Sequence, residues 1–246
     1  MAAFVTGASR GIGLALVGRL LARGSTPTVV AAARSATASP GLAALQAQHG
    51  ERLVVVDMDV TCAQSIDAAA ELCGGPCGLL VHGAAIMHPS GKGENTVRKL
   101  DQEDFSAVMN TNVIGPALLT KALYPRLREA AKGGSAKVVA IGAGVGSVGT
   151  NAAGGWYSYR VSKTALNALM KNLAIEGSRY NILTATLYPE MVDTEFAQPY
   201  VKNNPYPQLR TADETAARML ELTDELTEVA SSGRFVNIWS KADIPW

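Results

Sequence analysis

Short apolar runs rich in β-branched residues recur along the chain: AAFV at 2–5, TVVAAA at 28–33, RLVVV at 52–56, GLLVHG at 78–83, KVVAIG at 137–142, ILTATL at 182–187 and RFVNIW at 234–239. Their apolar positions are continuous rather than alternating, which predicts strands buried on both faces. Between them GIGLALVGRLLAR, PGLAALQAQHG, SIDAAAELC, DFSAVMNTNVIGPALLTKALYPRL and YSYRVSKTALNALMKNLAIEGS read as helices. Strands alternating with helices imply parallel crossovers, so the pattern predicts a single doubly wound α/β (Rossmann) domain over residues 1–246, with about seven strands and helices on both faces of the sheet. In such a sheet ligands bind beyond the carboxyl ends of the strands, which makes the following loops the segments to read for chemistry.

Composition narrows the classes. The chain has 246 residues, 48% of them hydrophobic and 17% charged, enough for one substantial core. A net charge of +1 gives no reason to expect nucleic acid or an anionic membrane as partner. No apolar run approaches the roughly 18 residues of a membrane span, so a soluble protein without a cleaved address is expected. Cys62, Cys73 and Cys77 are too few for a disulfide framework and suit a reducing cytoplasm; the spacing of the last two fits neither a zinc knuckle nor a redox pair. No cluster of His, Cys, Asp or Glu has metal-ligand spacing, so no metal is expected.

The first strand-to-helix loop, TGASRGIG, runs from Thr6 to Gly13. Gly7, Gly11 and Gly13 allow close backbone approach to a pyrophosphate, and the helix start offers unpaired N–H groups to anionic oxygens. A glycine triplet alone also fits a tight structural turn. Where an NAD site carries an acidic residue, at the end of the second strand, the chain reads Ala33-Arg34-Ser35. Its first fifty residues contain Arg10, Arg19, Arg23 and Arg34 but no Asp or Glu. Guanidinium groups at 10 and 34 suit a 2′-phosphate, which selects NADP as the expected cofactor, unless Arg34 is simply a solvated surface residue. In YSYRVSK, Tyr159 and Lys163 lie four apart and share one helix face. An ammonium beside a phenol favours the phenolate, giving the pair an acid–base mechanism.

TGASRGIG, the Asp59-Val60 pair, Asn112 in NTNVIGP and YSYRVSK, in this order and on these elements, resemble the short-chain dehydrogenase/reductase family over nearly the whole chain. The closing Pro-Trp and the context of YSYRVSK are similar, more narrowly, to the C-factor and sniffer-type carbonyl reductases. The resemblance implies NADPH-dependent reduction of a carbonyl compound, or the reverse oxidation of an alcohol. Tyr159 is then the proton donor; Lys163 holds the nicotinamide ribose and lowers the tyrosine pKa; Asn112 helps place Lys163 through a water. Gly7, Ser9, Arg10, Ile12 and Gly13 line the phosphates, Asp59 and Val60 flank adenine, Gly83 and Ala84 lie against the adenosine, and Val192 and Thr194 hold the carboxamide end.

Three departures from the family pattern stand out. The serine expected after the fifth strand is Ala143, the Asn-Asn-Ala-Gly stretch is His82-Gly83-Ala84-Ala85, and Pro-Gly after the sixth strand is Pro189-Glu190. Removing one oxyanion donor costs about 2.7–4 kcal/mol in other enzymes, so slow turnover is expected unless another group, such as Ser147, reaches in. The alternative is a catalytically impaired nucleotide-binding regulatory or scaffold protein on the same fold. Ile86, Met87, His88, Gly144, Val145, Trp156, Met191, Phe196 and Tyr200 on the surrounding loops suit an apolar or aromatic carbonyl compound, with His88 read as a surface residue. Small and apolar residues on the helices around 104–127 and 157–178 exceed one buried face, and the resemblance makes these the surfaces of a homodimer or homotetramer.

Overall fold

The computed structural model describes residues 1–201 and 209–246. Its strands are β1 (Ala2–Thr6), β2 (Val29–Ala33), β3 (Leu53–Asp57), β4 (Cys77–His82), β5 (Ala136–Ile141), β6 (Ile182–Tyr188) and β7 (Arg234–Asn237). They pair in parallel as one seven-stranded sheet in the order β3-β2-β1-β4-β5-β6-β7. Every apolar run singled out above is a strand. The helices are α1 (Gly11–Ala22), α2 (Pro40–His49), α3 (Ala63–Glu71), α4 (Gln102–Met109), α5 (Gly115–Ala131), α6 (Tyr157–Gly177), α7 (Gln198–Val201) and α8 (Ala212–Glu225).

Side chains alternate across β1: Ala2 and Phe4 pack with α3, α5 and α6 on one face, while Ala3 and Val5 pack with α1, α2 and α8 on the other. Both layers being apolar explains the lack of alternation in the strand sequences. Strand order reverses between β1 and β4, and there the two outgoing loops are fastened together. Thr6 Oγ1 accepts from the N–H groups of Gly83 (3.0 Å) and Ala84 (3.1 Å) and donates to the Val81 carbonyl. The backbones touch so closely that a Cβ on Gly7, whose φ is +67°, would lie 2.7 Å from the Gly83 carbonyl. The loops then part, opening a crevice at the switch point.

The sequence expects one helical segment through residues 104–127, and the chain is helical throughout it. Within that run a π-turn, Asn110–Ile114, joins α4 to α5 and turns Asn112 into the interior, where 1% of it is exposed. Gly115 permits this because a Cβ there would lie 2.6 Å from the Val60 carbonyl. Helix α8, absent from the helical runs read above, packs Ala216, Met219 and Leu220 against α1; Thr211 caps its N-terminus, and an Arg19–Asp213 ion pair fastens the two helices. Ile114, Val161 and Ile175 remain exposed on the α5–α6 side, in keeping with the second apolar face expected there.

His82 ends β4 in the core, with Nε2 2.9 Å from Thr120 Oγ1. The Thr120 hydroxyl donates to the Pro116 carbonyl, so the imidazole Nε2–H donates to Thr120. Burial pushes its pKa down to about 3. The unfolded chain takes up a proton below about pH 6.5 that the native chain refuses. Stability is therefore expected to fall as pH drops from about 6.5 toward 3, by up to about 1.4 kcal/mol per pH unit from this group. Urea denaturation across that range should show the slope, and His82→Asn should flatten it.

Candidate active site

Loops beyond the carboxyl ends of β1 to β6, together with the first turns of α6, enclose a cleft of about 1540 Å³. Gly7, Ser9, Arg10, Ile12, Gly13, Arg34, Asp59, Val60, Gly83, Ala84, Tyr159, Lys163, Val192 and Thr194 all line it. Residues from distant parts of the sequence thus converge on one surface. The N-terminus of α1 opens onto the cleft without a side-chain cap, leaving N–H groups available to an anion.

The start of α6 is built under strain. Gly154, Gly155 and Trp156 are successive left-handed residues, and the last, at φ +51°, costs roughly 1–2 kcal/mol for a side chain with a Cβ. Trp156 is held there by a 2.6 Å bond from its N–H to the Glu94 carbonyl and by its ring lying over Gly93. The Glu94 side chain, 2% exposed, accepts from the N–H of Ser158 at 3.2 Å and so places a carboxylate at the positive end of the helix. His88 Nε2 lies 3.8 Å from Glu94 Oε1 and 3.5 Å from Asp104 Oδ2. The sequence places His88 on the surface; in the structure its side chain is 7% exposed and its ring lies between these acids. Glu94 gave no local signal, since its partner is in another element far along the chain.

This start fixes Tyr159 and Lys163 on the cleft wall, one helical turn apart and both buried. Lys163 Nζ donates to the Ile141 carbonyl at 2.9 Å and lies 5.8 Å from the centre of the Tyr159 ring. Burial lowers the lysine pKa to about 8. Burial, and then the neighbouring Tyr188, push the Tyr159 phenol well above its usual value. Removing a phenolate from water is costly, so the phenol is held in its protonated form.

Asn112 lies behind the wall. Its Oδ1 accepts from the Ile86 N–H, and its Nδ2 donates to the Ile86 carbonyl and to Ser162 Oγ, whose own hydroxyl donates to the Tyr159 carbonyl. It thus ties the β4 loop to α6 without a direct bond to Lys163. At the adenosine end Asp59 accepts from the N–H and hydroxyl of Thr61, and Arg34 helps keep its pKa low. Arg10 pairs with Glu195 at 2.5 Å, bridging the glycine loop to the segment after β6.

Of the departures, Ala143 lies in the cleft wall and leaves its expected hydroxyl missing. Ser147 does not replace it: that side chain is buried, donates to the Pro245 carbonyl at 2.6 Å and accepts from the Thr150 N–H. Glu190 takes the left-handed conformation, φ +61°, that a glycine adopts freely, and its carboxylate is tied to Asn237 Nδ2 at 2.9 Å.

The cleft fits a nicotinamide dinucleotide. Its switch-point position, uncapped helix start and bare glycine loop suit the pyrophosphate. Lys163 adds a buried ammonium with three N–H groups and one acceptor among the described residues, which leaves donors for ribose hydroxyls.

Comparison with known proteins agrees with this geometry. The family described as short chain dehydrogenase matches residues 1–205. The NADPH-bound carbonyl reductase from chicken fatty liver superposes with a TM-score of 0.85 at 32% identity, covering 100% of this chain and 98% of that one. Carbonyl reductase Sniffer of D. melanogaster has the same fold, with a TM-score of 0.87 at 23% identity over 100% and 99% of the two chains. The C-signal of Myxococcus xanthus is 28% identical over 178 residues, 72% of this chain and 98% of that protein.

The remote cap makes a measurable claim. Glu94→Ala should destabilise the fold by about 1–2 kcal/mol through the lost charge-assisted cap, and Glu94→Gln, which keeps an acceptor, by less. Chemical denaturation of the three proteins checks this order.

Proposed function

Because the chain belongs to the short-chain dehydrogenase family, we propose that it is an NADPH-dependent carbonyl reductase whose proton donor is Tyr159. The observation that carries this reading is the buried Tyr159–Lys163 pair on the wall of the dinucleotide-shaped cleft. Bound NADPH supplies a hydride to the carbonyl carbon. Tyr159 gives its proton to the carbonyl oxygen as negative charge develops there, a task for which a protonated phenol is ready at neutral pH. Its raised pKa favours reduction over alcohol oxidation, which would need the phenolate. Lys163 would hold the ribose hydroxyls and so orient the nicotinamide, while Asn112 positions α6 through Ser162 and Ile86.

Arg34 and the absence of acidic residues from the first fifty positions support NADP over NAD, as does the NADPH in the chicken reductase. Arg10 meets a 2′-phosphate only by sharing or leaving Glu195. Trp156, Phe196 and Met191 on the outer wall favour an apolar or aromatic aldehyde or ketone. Among the described residues no helix is long and apolar enough to cross a membrane, and Cys62, Cys73 and Cys77 are free thiols, in keeping with a cytoplasmic site of action. Exposed Ile114, Val161 and Ile175 support a homo-oligomer built on the α5–α6 face. The methyl of Ala143 favours one other reading, a nucleotide-binding regulatory protein with impaired catalysis.

NADPH oxidation against a panel of aromatic ketones, aldehydes and quinones separates the two. Turnover that is abolished by Tyr159→Phe supports the reductase; tight NADPH binding without turnover of any compound supports the regulatory protein. Arg34→Ala should raise the KM for NADPH about 10- to 100-fold, the equivalent of one charge-assisted hydrogen bond, and leave the KM for NADH unchanged. In the reductase kcat/KM should decline as pH rises through about 8, where Lys163 loses its proton.

A further inference from the structure

We propose that Tyr188 is the second hydrogen-bond donor to the substrate carbonyl, supplying from the end of β6 the hydroxyl that Ala143 cannot. The inference rests on the reductase reading and specifies its missing part. Ala143 lies between two glycines on the cleft wall. Gly144 is bare for a visible reason: a Cβ there would lie 3.0 Å from Tyr188 Cζ and 3.2 Å from its Oη. The hydroxyl end of the Tyr188 ring therefore lies against the backbone immediately after Ala143, on the wall that also carries Tyr159.

The group has the properties a donor needs. Tyr188 is the last residue of β6, which is paired on both sides; it lies in register with Asn237, and its carbonyl accepts from the Ile238 N–H, so its backbone is rigid. Its hydroxyl has no hydrogen-bond partner among the described residues and is free to serve a ligand. Burial, followed by the nearby Glu190 and Tyr200, keeps its pKa above the usual phenol value, so it stays protonated at neutral pH. It is also close enough to Tyr159 to disfavour ionisation there. Two neutral phenols thus face one part of the cleft.

The two have different duties. Tyr159 transfers its proton to the oxygen as the hydride reaches the carbon. Tyr188 donates a hydrogen bond to the same oxygen and keeps its proton throughout, so it adds nothing to the balance of the reaction. Two phenol donors, with the Phe196 ring beside Tyr159 and Trp156 elsewhere in the cleft lining, suit an aromatic ketone, whose oxygen is the single acceptor to be satisfied.

Tyr188→Phe removes the oxygen and leaves the ring on Gly144. It should lower kcat/KM for the best panel ketone about 10²- to 10³-fold, as for loss of one oxyanion donor, with the dissociation constant of NADPH unchanged. Adding Ala143→Ser to Tyr188→Phe should restore most of that loss, a rescue that a merely structural role for Tyr188 does not predict. A second readout needs no turnover: the infrared stretch of ¹³C=O-labelled acetophenone bound to the cofactor-free Tyr159→Phe protein. A red-shifted band that moves back toward its value in apolar solvent on adding Tyr188→Phe supports the assignment. An active native chain whose rate and carbonyl band are unaffected by Tyr188→Phe overturns this inference and leaves the reductase reading standing. A native chain inert toward every carbonyl, with Tyr159→Phe indistinguishable from it, overturns both.

Discussion

The site depends on burying an ammonium and a phenol together in the wall of a cleft. Water would solvate both groups better than the protein does, and the pKa directions of Lys163 and Tyr159 record that cost. The arrangement persists because α6 is fixed at its start by contacts made elsewhere: the Glu94 carboxylate on the Ser158 N–H, the Glu94 carbonyl on Trp156, and Asn112 through Ser162. Lys163 is anchored by one carbonyl of β5. A dinucleotide would bring ribose hydroxyls and negative phosphates to the buried ammonium, whose remaining N–H groups suit them.

A second constraint shapes the cofactor end. Thr6 joins the loops after β1 and β4 where the strand order reverses, and Gly7 is glycine because the Gly83 carbonyl occupies the space of a side chain. His82, immediately before that junction, is neutral in the core and bonds to Thr120 of α5, holding the helix layer to the sheet edge of the cleft. At this departure from the family's asparagine-rich stretch the structure shows a buried contact between β4 and α5.

The sheet was legible because continuous β-branched runs have one physical reading in a chain that alternates them with helices. The glycine loop and the Tyr159–Lys163 pair were legible because their spacing is local. What escaped depends on contacts between distant positions. The π-turn at 110–114 leads into Gly115, which lies too close to the Val60 carbonyl for a side chain, Glu94 caps a helix it does not belong to, and Ser147 is bonded to the carbonyl of Pro245. Tyr188 ends a readable strand, yet only the backbone of Gly144 beneath its ring reveals where its hydroxyl lies. The upward push of burial on the Tyr159 pKa was not legible because spacing reports the neighbouring charge and is silent on burial.

The central claim is that this wall directs hydride and proton to the two ends of one carbonyl bond. Its most direct test is the fate of the label when an aromatic ketone is incubated with the protein and NADPH carrying deuterium at C4 on both faces. The account predicts an alcohol with one deuterium on its carbinol carbon, formed in step with NADP. Tight cofactor binding with no deuterium in any product would contradict it.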